Sequence, residues 1–205
     1  MEEIIRDSDT LVIVGAWNRA ILSQDWVINN LLSGYQNVKV EYPINILGSL
    51  KFSTDDFTFF IFGDRLTFKA LNNKEQTYRA IISIARQLLR LLSHTPINAL
   101  GINFVFKSEK IASIFNSIID TRVLTDTIEH EIISQELIRS FDLGKSLILN
   151  LKFHIDNSTS VIDFNFNYNV QKSLDVINIF GDSDDVIIEK KKYSLLILDK
   201  LNSTE

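Results

Sequence analysis

Apolar positions along this chain follow two rhythms, one of period two and one close to 3.6, and the switches between them mark the expected elements. Residues 11–17 are mostly apolar and β-branched and give way to Asn18 and Arg19, which predicts a strand leaving into a loop. Ser23 is placed to cap a helix over residues 24–32, where Trp26, Val27, Asn30 and Leu31 recur at near-helical spacing. Asp25 lies in its first turn, where the helix dipole favours an acid, and Gly34 stops it. Three extended segments follow: residues 38–52, broken by Pro43 and Gly48; residues 57–62; and residues 66–71, with Gly63 and Asp64 turning between the last two. They predict an antiparallel meander. Over residues 74–92, Tyr78, Ile81, Ile82, Ala85, Leu88, Leu89 and Leu92 trace the stripe of a core-facing helix.

His94, Thr95 and Pro96 end that helix, and the order then begins again. Residues 100–106 read as a strand with Ile102, Phe104 and Phe106 on one face, and Ser108 precedes a short helix carrying Ile111, Ile114, Phe115 and Ile118. Extended segments are expected at 131–143, 146–155 and 161–170, and a last helix at 185–201. In that helix Ile188, Tyr193, Leu196, Ile197 and Lys200 share a broad face, with Lys190, Lys191 and Lys192 turned to water. The fold class is therefore α+β, written as two similar β-α-β-β-β-α halves, residues 1–98 and 99–205, with antiparallel sheets, helices packed on one face and one shared core. A single mixed sheet of about eight strands, with helices on one side, satisfies the same pattern without symmetry.

The composition supports a core built without staples, since 45% of the 205 residues are hydrophobic and 14 are Phe. With 21 basic against 26 acidic residues the net charge is −5, which argues against nonspecific binding to a phosphate backbone and leaves only a local basic patch open. The chain has no cysteine, which removes disulfides, thiolate metal sites and a cysteine nucleophile, and fits a reducing cytoplasm. The opening MEEIIRDSDT carries acids where an export signal carries bases, and the apolar runs at 57–62 and 195–198 fall well below the roughly 20 residues that cross a bilayer. A cytoplasmic protein without membrane spans is expected.

Candidate chemistry is sparse. His94 stands at a helix C-terminus, where the dipole favours a cation and an imidazole can meet free carbonyls, a structural role sufficient by itself. His130 lies among Asp126, Glu129 and Glu131, but consecutive residues of an extended chain point to opposite faces, so a solvated strand end explains it better than a metal site. The last two extended segments alternate cleanly: one face is apolar, and the other sets Asn150, Lys152 and His154 beside Asp163, Asn165, Asn167 and Asn169. That polar face is a candidate interaction surface. Arg79, Arg86 and Arg90 form a short basic line on the 74–92 helix, suited to phosphate or carboxylate. An enzyme would need His154, Asp163 and Lys152 to converge, the Asp raising the imidazole pKa. There is no glycine-rich phosphate loop, nucleophile elbow or paired-histidine motif, so no catalytic residue, metal or cofactor is assigned.

The stretch from Leu92 through His94, Thr95, Pro96 and Gly101-Ile102-Asn103 to Phe106, following a meander and a long helix, resembles a sporadically distributed family of uncharacterised two-lobed bacterial α+β proteins. That resemblance implies a bacterial or phage-borne accessory protein and carries no catalytic residues with it. The repeated element order is also similar to the duplicated saddle of TATA-binding proteins, whose binding face uses basic residues and aromatic wedges. The expected function is a noncatalytic protein-interaction or assembly module with a protein partner. Nucleic-acid binding through the arginine line with Lys152 and His154 is the alternative, and an enzyme the second. A homodimer paired along the edge formed by residues 38–52 is expected, although Pro43 and Gly48 interrupt that edge.

Overall fold

Because successive strand residues face opposite ways, each alternating segment can put one row of apolar side chains against helices, and the computed structural model assembles these rows into a single sheet. It describes residues 3–4, 10–43, 50–107, 111, 114–115, 119, 127, 132–156 and 160–203. In chain order the elements are β1 (Glu3–Ile4), β2 (Leu11–Gly15), α1 (Gln24–Leu31), β3 (Lys39–Glu41), β4 (Lys51–Ser53), β5 (Phe57–Phe62), β6 (Arg65–Ala70) and α2 (Glu75–Leu91). After them come β7 (Ile97–Lys107), β8 (Ser134–Asp142), β9 (Leu147–Asp156), β10 (Ser160–Asn169), α3 (Ser173–Phe180) and α4 (Val186–Asn202). The protein is α+β, and every strand pair among the described residues is antiparallel.

The sheet runs β3-β4-β5-β6-β2-β7-β10-β9-β8, with β1 added against β7. Its middle is the pair β2–β7, where Leu11 faces Ile102 and Ile13 faces Leu100. Read outward from that seam, one side is β2-β6-β5-β4 and the other β7-β10-β9-β8. In each, the strand before the long connection lies beside the last strand of a following meander.

One face of the sheet carries the core. Phe52, Phe59 and Phe68 stack in sequence from β4 to β6, with ring centroids 4.9 and 5.3 Å apart. Across the seam Tyr78 of α2 meets Phe104 edge-on, and Phe106 meets Phe164 in the same way. The helix α2 buries Ile81, Ile82, Ala85, Leu88 and Leu89 and touches α1, α3, α4 and β6. The buried apolar residues form one continuous cluster reaching from Leu11 to Leu198.

The expected helices at 24–32 and 74–92 appear as α1 and α2, and residues 38–52 split into β3 and β4, which pair with each other. The strand expected at 100–106 is longer: β7 starts at Ile97, directly after Pro96, because both its sides are paired. Ile111, Ile114 and Phe115 are helical and buried, with Phe115 packed on Phe153, while Ile118 and His130 lie outside the described residues. The helix α3 was not expected. It is only eight residues long, buries Val176 and Phe180 one turn apart, and starts where the Asp175 carboxylate accepts the backbone N–H groups of Gln171 and Lys172.

The last helix corrects the expected face. Ile188 is buried as expected, together with Val186, Ile187, Ser194 and Leu198, whereas Tyr193 and Leu196 of the expected face are 40% and 49% exposed and Lys200 is exposed too. Lys190 and Lys191 do not stand in water. Their stems lie on the core, with the Lys190 ammonium over Phe166 and Tyr168 at 5.5 and 5.8 Å and that of Lys191 over Tyr78 at 5.1 Å. Burial lowers both lysine pKa values. Lys192 alone of the three is exposed.

At the end of β2 the register shifts between Val14 and Gly15, and the chain closes so tightly on β7 that a Cβ on Gly15 would lie 2.6 Å from the Pro96 carbonyl oxygen and 2.7 Å from Ile97 Cδ1. A backbone carbonyl cannot turn aside as a side chain can. Gly15→Ala is therefore expected to destabilise the fold by about 1–3 kcal/mol. Urea unfolding should show it as a lower midpoint at unchanged m-value.

Candidate functional site

The face of the sheet opposite the helices holds the polar residues singled out in the sequence, and the register decides what they do. Ser140, Asn150, Asn165 and Asn103 are consecutive cross-strand partners on β8, β9, β10 and β7. The Ser140 hydroxyl donates to Asn150 Oδ1 at 2.7 Å, the Asn150 amide donates to Asn165 Oδ1 at 2.9 Å, and the Asn165 amide donates to Asn103 Oδ1. Gly101 lies beside this ladder, where a Cβ would meet Asn165 Nδ2 at an ordinary contact distance of 3.6 Å. The amides are thus largely turned on one another. Asn167 lies one row further along, between Ile148 and Gly101.

The charged residues of the same hairpin form a separate cluster. Lys152 donates to Glu136 at 2.8 Å, and His154 lies 3.2 Å from both Glu136 and Asp156. The Lys152 hydrogen bond, ahead of weaker help from His154, lowers the Glu136 pKa. Asp163 sits opposite Lys152 in register, yet the ammonium goes to Glu136, and Asp163 Oδ1 is buried without a hydrogen-bond partner. Burial pushes the Asp163 carboxyl up to about 6. His154 faces Val161 and Glu136, not Asp163, so the expected His/Asp pairing is corrected: the two residues are displaced by one full pleat. Among the described residues no set of three carboxylate or imidazole groups is arranged to hold a metal ion.

The arginine line on α2 is divided. Arg79 donates to Asp185 at 2.7 Å and to Glu75 at 3.2 Å. Arg86 pairs with Asp184 and donates to the Gly181 carbonyl. Both therefore clamp the α3–α4 connection against α2, while Arg90 is exposed in the last turn. His94 is exposed just beyond the helix end, where the backbone N–H groups of Leu92 and Thr95 already serve the carbonyls of Leu88 and Leu92.

A further feature went unread in the sequence. On the helical side of the sheet, α4 reaches β7 and lies over Phe166 and Tyr168 of β10, and a hollow of about 550 Å³ opens between it and the β8–β9 hairpin. Phe141, Leu143, Leu149, Leu151, Tyr193 and Ile197 are prominent in its lining, and Phe141 is 47% exposed. The available signal was the width of the apolar face on residues 185–201, too broad for one core contact. The fold and these surfaces define an α+β protein whose sheet has one helix-covered face and one face of mixed polar and apolar residues. No family model, curated protein or solved structure matches the chain.

The Asp163 carboxyl is raised above its ordinary value of 3.8, so between about pH 4 and pH 6 the native state holds more protons than the unfolded chain. Its contribution to stability is therefore lost as pH rises through that window, on the order of 2–3 kcal/mol in total. Asp163→Asn should flatten the pH dependence of urea unfolding between pH 4 and 6 and raise stability at pH 8. An unchanged slope would show that the carboxyl is not shifted.

Proposed function

We propose that this chain is a noncatalytic protein-interaction module, working in the cytoplasm, that takes an apolar segment of a partner protein into the hollow between α4 and the β8–β9 hairpin. The observation that carries the reading is the concentration of partly exposed large apolar side chains there, with Phe141, Leu143 and Tyr193 all above a third exposed. Monomeric surfaces seldom gather apolar residues in this way without covering them. The apolar lining of the hollow suits the apolar face of an amphipathic segment, and Arg139 at its wall suits a carboxylate on the rim of such a segment. The same strand order on both sides of β2–β7 further supports a chain built from two related units, in which this hollow belongs to the second. An enzymatic reading loses its support with the displacement of His154 from Asp163.

Once a partner is isolated by crosslinking, Phe141→Ala should weaken its binding by about 2 kcal/mol, or roughly thirtyfold, and Phe141→Glu should abolish it, while thermal unfolding stays close to wild type. Binding that survives Phe141→Glu, or turnover of a metabolite by the pure protein, would overturn the reading.

We also propose self-association along a sheet edge. Among the described residues β3 is a three-residue edge carrying Lys39 and Glu41, a poor template, whereas β8 is a nine-residue edge. Light scattering at two concentrations is expected to give twice the 23.5 kDa chain mass. The chain mass at both would remove the dimer and leave the hollow untouched.

A further inference from the structure

We infer that the first half of the open sheet face, on β3 to β6, binds single-stranded nucleic acid. Alternation fixes which residues stand there. Phe57, Phe59, Ile61, Leu66 and Phe68 are buried on the helical side, so Thr58, Phe60 and Phe62 of β5 and Arg65, Thr67 and Lys69 of β6 point the other way. Thr58 and Thr67 are themselves buried between their neighbours, which leaves Phe60, Phe62, Arg65 and Lys69 as the accessible groups. Lys51 on β4 and Lys39 and Glu41 on β3 join them through the register.

Two properties of this surface point to the ligand. The first is its aromatic content. Phe62 is 65% exposed, although an apolar ring on a strand usually finds cover, and Phe60 is half-buried beside it. Each ring has a cation directly across the strand pair, Arg65 opposite Phe62 and Lys51 opposite Phe60, while Thr67 separates them on β6. With Tyr42, Lys51 and Lys69 these rings line a hollow of about 370 Å³. A ring that can receive a base, next to a cation that can receive the adjoining phosphate, is the unit from which sequence-tolerant single-strand sites are made.

The second property is charge. In this half the described outward residues of the strands are Lys39, Lys51, Arg65 and Lys69 against one carboxylate, Glu41. Across the seam they are Lys107 and Lys152 against Glu136, Asp142, Asp156 and Asp163. The strand surface of this half is therefore the more favourable to a polyanion, even though the whole chain is at −5 and the exposed Asp55 and Asp64 in the adjoining turns reduce the contrast. The Lys51–Glu41 pair, at 3.2 Å and exposed, is weak enough for phosphate to replace. Four strands spaced about 4.8 Å apart give a platform for two or three bases, and only unpaired bases can lie flat on it. The arginines of α2 take no part, since Arg79 and Arg86 are held by carboxylates on the other side of the sheet.

The test is anisotropy with fluorescent ten-residue dT and rU oligonucleotides and a duplex of equal length, from about 20 to about 200 mM salt. Wild type should bind the single strands more tightly than the duplex, and Phe62→Ala should cost about tenfold while Phe62→Trp restores binding. Arg65→Gln should weaken binding and reduce the slope of log K against log salt by about 0.7, and Arg90→Gln should change neither. Phe62 and Arg65 are exposed, so these variants keep the fold, which circular dichroism checks. No binding at low salt, or equal binding by Phe62→Ala, overturns the inference. Sedimentation with anionic phospholipid vesicles without oligonucleotide binding also overturns it and assigns the surface to a membrane. None of these outcomes bears on the hollow beside α4, because Phe141 lies on the opposite face.

Discussion

The pairing of β2 with β7 is the contact on which the rest of the molecule depends. Leu11 and Ile13 are fully buried, and they meet Phe68 and Leu66 on one side and Ile102 and Leu100 on the other. A slip of one residue in this seam would turn both rows outward, so the hydrophobic pattern itself holds the register. Thr10 extends the same line: its hydroxyl accepts the Ala70 N–H, and its carbonyl accepts that of Asn103. The Asn103–Asn165–Asn150–Ser140 ladder begins one strand away. Its place on four strands thus follows from a register set by apolar side chains.

That ladder shows a tension between polarity and burial. Partly buried amides keep their hydrogen-bonding capacity only by serving one another, and doing so ties β7, β10, β9 and β8 side chain to side chain. Asp163, one row away, has no such partner for one of its oxygens. Its neighbour Lys152 is shared with a better placed carboxylate, Glu136, on the edge strand. The polar face is therefore satisfied in one row and frustrated in the next, a difference of one pleat.

Most of the secondary structure was legible because it depends on period alone. The stripe from Tyr78 to Leu89 and the alternation from Leu147 to Phe153 admit one reading each. The sites were less legible, for three physical reasons. Alternation places His154 and Asp163 on one face but says nothing of register, and register separates them. Helical spacing puts Arg79 and Arg86 on one side of α2 but does not show that Asp184 and Asp185 arrive there from a distant turn. Hydropathy assigns Lys190 and Lys191 to water, whereas their methylene stems and the rings beneath them place them on the core. For the arginines and lysines the deciding partner lay far away along the chain, and for His154 it was the register of its own hairpin.

The seam has a consequence for how the protein is made. During synthesis, β2, β6, β5, β4 and α2 are complete before β7 emerges, so the first half can collapse while the outer side of β2 still lacks its partner. For several seconds at ordinary elongation rates, the backbone groups of Leu11 to Gly15 stand as an open template in a crowded compartment. Only Ile97 to Gly101 and the residues just beyond can close it correctly, and they arrive behind a turn that Pro96 and Gly15 must both fit. The tight spot at Gly15 therefore falls where a nascent chain must choose between its own next strand and another molecule's.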